Sequence, residues 1–368
     1  MKSLIALINF TLLIFTTIGQ QRHLTNYDEA EARTLLNLAA GAYSNMPETC
    51  VNNTMPSSQQ WYIINEENTI CDAHENSCAG YTIRSDVMRQ YIVVFRGTKT
   101  KKQLLFEGWK SIQPGVDFFG VGKVNRYFFR ALNTIWPSIE PLLKDPDFRS
   151  YTVTFTGHSL GAALASLASM RTVLEELRNS GEVKLITFGQ PRVGDRDFAM
   201  KHDQLVTYSY RLVHRADIVP HLPACRKNED DPETKDDVSK PCETDGNGSA
   251  YHHGIEIWYP NGMEPGAQYI ECLGAPKDED FNCSDSLKFI VSEYDVYIRD
   301  HRYYFGHRVP TYGKLGCVEV TDGEEMAVEE SAVSLGEASS SEPKSNSAIT
   351  KIVNGLTKIS HFLGLNRK

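Results

Sequence analysis

The spacing of hydrophobic and polar positions changes several times along the chain, and each change predicts an element. Ala30–Ala42 carries apolar residues at helical spacing. Tyr91–Phe95 is a short β-branched and aromatic run ending at Gly97, which reads as a buried strand. Val124–Leu143 predicts a long helix, bent or started afresh near Pro137 and Pro141, because an interior proline lacks the N–H that the helix needs. Tyr151–Thr156 alternates Tyr, Val and Phe with Thr and ends at Gly157, the pattern of a strand. Leu160–Leu177 is rich in Ala and Leu and predicts a helix that stops before Gly181. Val183–Phe188, Val206–Val213 and Ile255–Tyr259 read as further strands. Strands alternating with helices predict an α/β fold with a mostly parallel central sheet.

The two ends of the chain differ from this middle. Met1 and Lys2 are followed by the apolar run Leu4–Ile18, closing at Thr17-Ile18-Gly19. A positive start, a short apolar run and a small residue predict a secretory signal peptide over residues 1–19, with an uncleaved anchor as the alternative. Asn9 and three threonines make the run short and polar for a membrane span. The main domain is expected over 20–320. Asp322–Glu342 holds seven carboxylates and no Lys or Arg among many Ser and Ala, so 321–343 has the composition of a disordered acidic linker. Residues 344–368 reverse the sign, with five basic residues and no acidic one. Within them Ile349, Ile352, Val353, Leu356, Ile359 and Leu363 fall on one helical face, a stripe that suits an anionic lipid surface. Asn354 and Gly355 weaken that helix, and a tail that stays disordered or docks on its own domain is the alternative.

The formal net charge is −9, which argues against holding nucleic acid on a basic surface. With 41% apolar and 10% aromatic residues the chain can build a core. Eight cysteines, an even number in a chain that reads as exported, predict disulfides. There is no C-x-x-C and no H-E-x-x-H, so the sequence implies no metal, and no organic cofactor either. Asn52, Asn247 and Asn282 stand in N-x-S/T sequons and are candidate glycosylation sites. Seven carboxylates crowd Glu229–Glu243, six of them between Cys225 and Cys242; they read as a solvated loop closed by a disulfide rather than an ion site.

Chemistry concentrates at Gly157-His158-Ser159-Leu160-Gly161, a G-x-S-x-G placed between a predicted strand and a predicted helix. Such a turn is too sharp for a Cβ on either side of the serine, and it presents the hydroxyl beside a helix N-terminus, where negative charge is favoured. A serine needs a base to act as a nucleophile, and an acid must orient that base. In this type of site the chain order is serine, acid, histidine. Asp217 directly follows the strand 206–213, at the sheet edge where open α/β folds place their ligand sites. Asp195 reads as a helix cap instead. His252 and His253 both suit the base by order and position, and the residues alone leave that choice open. His158, His202, His214 and His221 read as structural or surface residues.

The segments VVFRGT (93–98), FTGHSLGAA (155–163), TFGQPRVGD (187–195), YRLVHRADIVPHLP (210–223) and YHHGIEIW (251–258) together resemble the fungal-type, or class 3, lipase family over about residues 27–320. The resemblance implies an α/β-hydrolase fold and hydrolysis of lipid esters. It makes Ser159 the nucleophile and Asp217 the acid. The family histidine is matched by its distance to a Glu and a Trp, which selects His252 ahead of Glu256 and Trp258. The oxyanion hole would come from the N–H of Leu160 and from Thr98. The family lid would fall at about residues 99–109, with Leu104, Leu105, Phe106 and Trp109 apolar at helical spacing; a core helix is the alternative. The family pairs an early cysteine with one near the domain end, which matches Cys50 with Cys317, and residues 300–306 resemble the segment before that last cysteine. Proximity along the chain then suggests Cys71–Cys78, Cys225–Cys242 and Cys272–Cys283.

The expected protein is therefore a secreted serine hydrolase that cleaves lipid esters, triacylglycerol lipase-like, through an acyl-enzyme. The alternatives are a phospholipase or small-ester esterase with the same triad, or a lipase-like lipid-binding protein without catalysis. Expected partners are the lipid ester and, through lid and tail, a lipid surface, with no nucleic acid. The sequence leaves oligomeric state open.

Overall fold

The computed structural model describes residues 24–71, 77–98, 115–228, 238–243, 249–274 and 277–319. The signal segment, the lid segment, the acidic linker, the basic tail and Asn247 lie outside the described residues.

The described chain begins with α1 (Glu29–Gly41) and α2 (Pro47–Thr54), then strands β1 (Trp61–Ile70), β2 (Ser77–Ser85) and β3 (Gln90–Phe95). Two short strands, β4 (Val116–Asp117) and β5 (Lys123–Val124), lead into α3 (Arg126–Lys144). Next come β6 (Thr152–His158), α4 (Leu160–Leu174), β7 (Val183–Phe188), β8 (Gly194–Asp195), α5 (Arg196–Leu205) and β9 (Tyr208–His214). The last part holds β10 (Ala250–Tyr251), β11 (Ile255–Tyr259), β12 (Ile270–Cys272), α6 (Tyr294–Arg302), β13 (Tyr303–Tyr304), β14 (His307–Arg308) and α7 (Val309–Lys314).

One eight-stranded sheet in the order β1-β2-β3-β6-β7-β9-β11-β12 organises the domain. Strands β3, β6, β7, β9 and β11 run parallel, and antiparallel strands close both edges. Strand β3 shows why its sequence is continuously apolar. Ile92 and Val94 face the core shared with Leu35, Leu36 and Ala39 of α1, while Tyr91, Val93 and Phe95 face the core of α3 and α4. A strand covered on both faces has no polar side to show. Helix α4 is buried all round, consistent with its lack of a charged face.

The predicted helices and strands are present, with ends shifted by at most three residues; the 124–143 helix starts at Arg126 and the 206–213 strand at Tyr208. The 160–177 helix ends at Leu174. Helix α3 is a single helix of 19 residues running through both Pro137 and Pro141. The carbonyls that these prolines leave without a donor belong to Asn133 and Pro137, and Asn133, Pro137 and Pro141 form one exposed stripe. That stripe faces solvent, where helix carbonyls without an intrahelical donor are tolerated, while Phe128, Leu132, Ile135, Ile139 and Leu143 hold the opposite face in the core.

The four disulfides are Cys50–Cys317, Cys71–Cys78, Cys225–Cys242 and Cys272–Cys283. Among the described residues no helix is long and apolar enough to cross a membrane.

Candidate active site at the strand ends

The end of β6 turns into α4 at Ser159, whose φ of 62° and ψ of −126° lie outside the regions that L residues favour. The flanking glycines make this turn possible. A Cβ on Gly157 would come within 2.5 Å of the Gly161 backbone, and one on Gly161 within 2.2 Å of the Phe95 carbonyl. The end of β3 packs against the turn as well: a Cβ on Gly97 would stand 3.1 Å from Ser159 Cβ. Thr98 follows and is half-buried. Leu160 is the first residue of α4, so its N–H is one of the helix donors without an intrahelical partner.

Asp217 lies just beyond β9 and is fully buried. Its carboxylate accepts four hydrogen-bond contacts: His301 Nδ1 at 3.0 Å to Oδ1 and 2.9 Å to Oδ2, Tyr304 Oη at 2.7 Å and the Val219 N–H at 2.9 Å. A carboxylate only accepts, so the His301 proton sits on Nδ1. That leaves Nε2 as a base; it is buried and makes no hydrogen bond among the described residues. Burial and the Asp217 charge push the Tyr304 phenol well above its ordinary pKa, which keeps it a donor.

His301 arrives from the last turn of α6, and two contacts dock that turn on the strand ends. The Asp300 carbonyl accepts from His214 Nδ1 at 3.0 Å, and its carboxylate accepts from the Ala216 N–H at 3.3 Å. His158, next to Ser159, stacks on the His301 ring with centroids 4.6 Å apart and donates through Nε2 to the His301 carbonyl at 2.8 Å. Tyr43 Oη donates to His158 Nδ1 at 2.9 Å. Burial, and then the neighbouring His301, hold His158 well below its ordinary pKa, so it is a neutral strut.

The histidine beside Asp217 is therefore not the one expected from the sequence. His252 Nε2 donates to the Pro220 carbonyl at 2.6 Å, and burial holds its pKa well below the usual value. The spacing to Glu256 and Trp258 selected a strand, not a base. Both partners stand on β11, where Glu256 faces Arg211 at 3.5 Å and Trp258 Nε1 donates to the Arg215 carbonyl at 2.9 Å. His253 is also structural: its Nε2 meets Ser166 Oγ at 2.7 Å and Gln190 Nε2 at 3.1 Å. His301 escaped the sequence reading although chain order pointed to it. It follows Asp217, and it stands in the 300–306 segment, whose family resemblance points to the cysteine after it.

Gly189, at the end of β7, makes room for the pair. It has a φ of +58°, and a Cβ there would lie 2.7 Å from Asp217 Oδ2 and 2.8 Å from His301 Nδ1. Asp195 caps α5 as expected, accepting from Phe198 N at 3.0 Å.

Among the described residues, three groups bring metal-ligating atoms near one another, and their chemistry does not suit a metal. The rings of His202 and His253, beside Asp203, stack at 3.7 Å and 25°, so their in-plane lone pairs run side by side instead of converging. The other two groups offer cysteine sulfurs that are already bonded in disulfides. Of the candidate glycosylation sites, Asn52 and Asn282 are exposed.

Comparison with known proteins matches residues 92–227 to the family described as "Lipase (class 3)". A protein named "Lipase ZK262.3" from Caenorhabditis elegans is 46% identical over 292 residues, covering 79% of this chain and 83% of that protein. A Rhizopus niveus lipase is 34% identical over 156 residues, covering 39% of this chain and 37% of that protein. Among solved structures, the lipase from Rhizopus microsporus var. chinensis superposes with a TM-score of 0.57 at 25% identity, covering 77% of this chain and 89% of that one. With this fold and these relatives, the chain belongs to the class 3 lipase family of α/β-hydrolases.

Proposed function

We propose that the protein is a secreted lipase that hydrolyses carboxylic esters of lipids, triacylglycerols included, with Ser159 as nucleophile, His301 as general base and Asp217 as the acid that orients it. The observation that carries this reading is the buried Asp217–His301 pair, with its imidazole stacked on the residue next to Ser159.

In the first half-reaction Ser159 Oγ attacks the ester carbonyl carbon as its proton passes to His301 Nε2. Asp217 stabilises the imidazolium. The tetrahedral oxyanion receives hydrogen bonds from the Leu160 N–H and from Thr98, each donor contributing about 3 kcal/mol. Collapse transfers the proton from His301 to the departing alkoxide, releases the alcohol and leaves the acyl group on Ser159. Water then gives a proton to His301 and attacks the acyl carbon. The second collapse restores Ser159 and releases the fatty acid.

The predicted signal peptide, the four disulfides and the exposed sequon asparagines Asn52 and Asn282 support export. The test is labelling with a fluorophosphonate, followed by peptide mapping and assay on emulsified triacylglycerol, phospholipid and a short-chain ester. Label on Ser159 and turnover of the triacylglycerol support the proposal. Absence of labelling would favour a lipid-binding protein without catalysis.

A further inference from the structure

We infer that His252 is a positioning residue that holds the Asp217 turn in register with His301. The inference rests on Asp217 and His301 being the acid and base. The turn that begins at Arg215 and ends at Pro223 contains two prolines, which have no N–H with which to anchor themselves. Its carbonyls are gripped from outside instead. Pro220 O accepts from His252 Nε2 at 2.6 Å, Leu222 O from the Arg192 N–H at 2.9 Å, and Pro223 O from Arg192 Nη1 at 3.2 Å. At the near end Arg215 O accepts from Trp258 Nε1 at 2.9 Å.

The two donors on the far side are locked to each other. Arg192 forms a two-point ion pair with Glu279, at 2.8 and 2.7 Å, and Glu279 Oε1 also accepts the His252 N–H at 2.8 Å. All three side chains are buried. The Cys272–Cys283 disulfide closes the segment that carries Glu279. The grip reaches the acid through a short path. Val219, the residue before Pro220, donates its N–H to Asp217 Oδ1 at 2.9 Å. Any slip of the Pro220 carbonyl therefore moves a donor of the acid itself. The spacing of His252, Glu256 and Trp258 gains a physical meaning from this. His252 holds one side of the acid turn and Trp258 the other, while Glu256 pairs with Arg211 on the strand that leads into it.

A backbone carbonyl accepts only, so His252 must present Nε2–H. Burial, with the positive charges of Arg211 and Arg192, disfavours a second proton and keeps the ring neutral.

The test compares the full-length protein with His252→Gln, whose amide N–H replaces Nε2–H, and His252→Leu, which has no donor. Turnover of a soluble short-chain ester is measured per phosphonate-titrated site, with the strongly deshielded proton NMR signal of the Asp217–His301 bond as a second readout. His252→Leu is expected to lower kcat about 10- to 100-fold with KM within about twofold, because a sub-ångström misplacement of catalytic groups has that effect. Its deshielded signal should shift or broaden. His252→Gln should keep kcat within about threefold of the parent and keep the signal. Wild-type kcat in His252→Leu, or equal loss in the Gln and Leu variants, overturns the inference. If the Leu variant does not fold, His252→Asn replaces it, since that amide is too short to reach Pro220. Lowered kcat then supports the grip and wild-type kcat rejects it. His301→Gln separates this from the triad itself: retained turnover there would reject the base, whereas its loss alongside a competent His252→Gln supports both.

Discussion

Replacing Gly189 by Ala adds one methyl group at the most sensitive point of the site. The new Cβ would stand 2.7 Å from Asp217 Oδ2 and 2.8 Å from His301 Nδ1, where ordinary contact begins at 3.4 Å. Either group must give way by about 0.7 Å, the difference between those distances, to accommodate it. Misplacement on the scale of 1 Å can lower a rate about 100-fold, and complete loss of the orienting acid lowers it about 10,000-fold. The expected loss in kcat lies between those values. The positive φ of Gly189 adds roughly 1–2 kcal/mol of backbone strain for alanine, which lowers Tm by roughly 2–8 °C in a domain of this size. The assay is steady-state hydrolysis of a soluble short-chain ester beside thermal melting and the rate of phosphonate labelling. A folded Gly189→Ala protein should melt cooperatively, turn over at least 100-fold more slowly and label slowly. Turnover within about threefold of the parent would refute the reasoning, because the methyl group cannot coexist with an undisturbed Asp217–His301 pair.

Ser159→Ala should abolish hydrolysis and labelling while leaving the melting curve cooperative; more than a trace of turnover would reject the nucleophile. His253→Ala removes the contacts to Ser166 and Gln190 and the stack on His202, so it should cost roughly 1–3 kcal/mol of stability and keep most of kcat; a loss as deep as that of His301→Ala would contradict its structural role. Acid should destabilise the fold through His158 and His252, both held well below the ordinary value of 6.5. Above about pH 6.5 their contribution is complete; as pH falls below it, unfolding takes up protons that the folded state refuses, and stability drops by up to about 1.4 kcal/mol per pH unit for each. Melting across this range should be less steeply pH-dependent in His252→Gln than in the parent, and an equal slope would contradict the assignment. Replacing Cys50 and Cys317 by serine opens a loop of 267 residues and should cost up to about 5.6 kcal/mol by chain-entropy reasoning, read as a lowered Tm; an unchanged Tm would contradict it.

The parts of the site legible in the sequence are those built from contiguous residues. The nucleophile turn is encoded by two glycines whose missing Cβ atoms clear the β3 and α4 backbones, and both can be seen in five residues. Strands β3 and β7 send apolar residues into the cores on both faces, and their apolar runs announce them, whereas β6, β9 and β11 show an alternation of apolar with polar or mixed positions. Strand β1 gives no such signal. It lies at the sheet edge, carries Asn65, Glu66, Glu67 and Asn68, and is only partly covered, so its pairing with β2 is tertiary information. The continuity of α3 through its prolines depends on their exposed side, which spacing alone could have shown, since Asn133, Pro137 and Pro141 recur every four residues. The proposed base was hidden for a different reason. His301 and Asp217 are 84 residues apart, and only the docking of α6 against β9 brings them together. His252 carried a recognisable spacing, but that spacing records the packing of β11 around the acid turn.

The central claim is that His301, oriented by Asp217, serves Ser159. A crystal structure of the protein inactivated by a phosphonate ester tests it most directly, because the adduct stands in for the tetrahedral intermediate. Phosphorus should be bonded to Ser159 Oγ, with His301 Nε2 within hydrogen-bonding distance of an ester oxygen of the adduct and the Asp217–His301 bond intact. The phosphoryl oxygen should face the Leu160 N–H and Thr98, with His252 still on the Pro220 carbonyl. An adduct whose oxygens meet His252, or one formed on a residue other than Ser159, would contradict it.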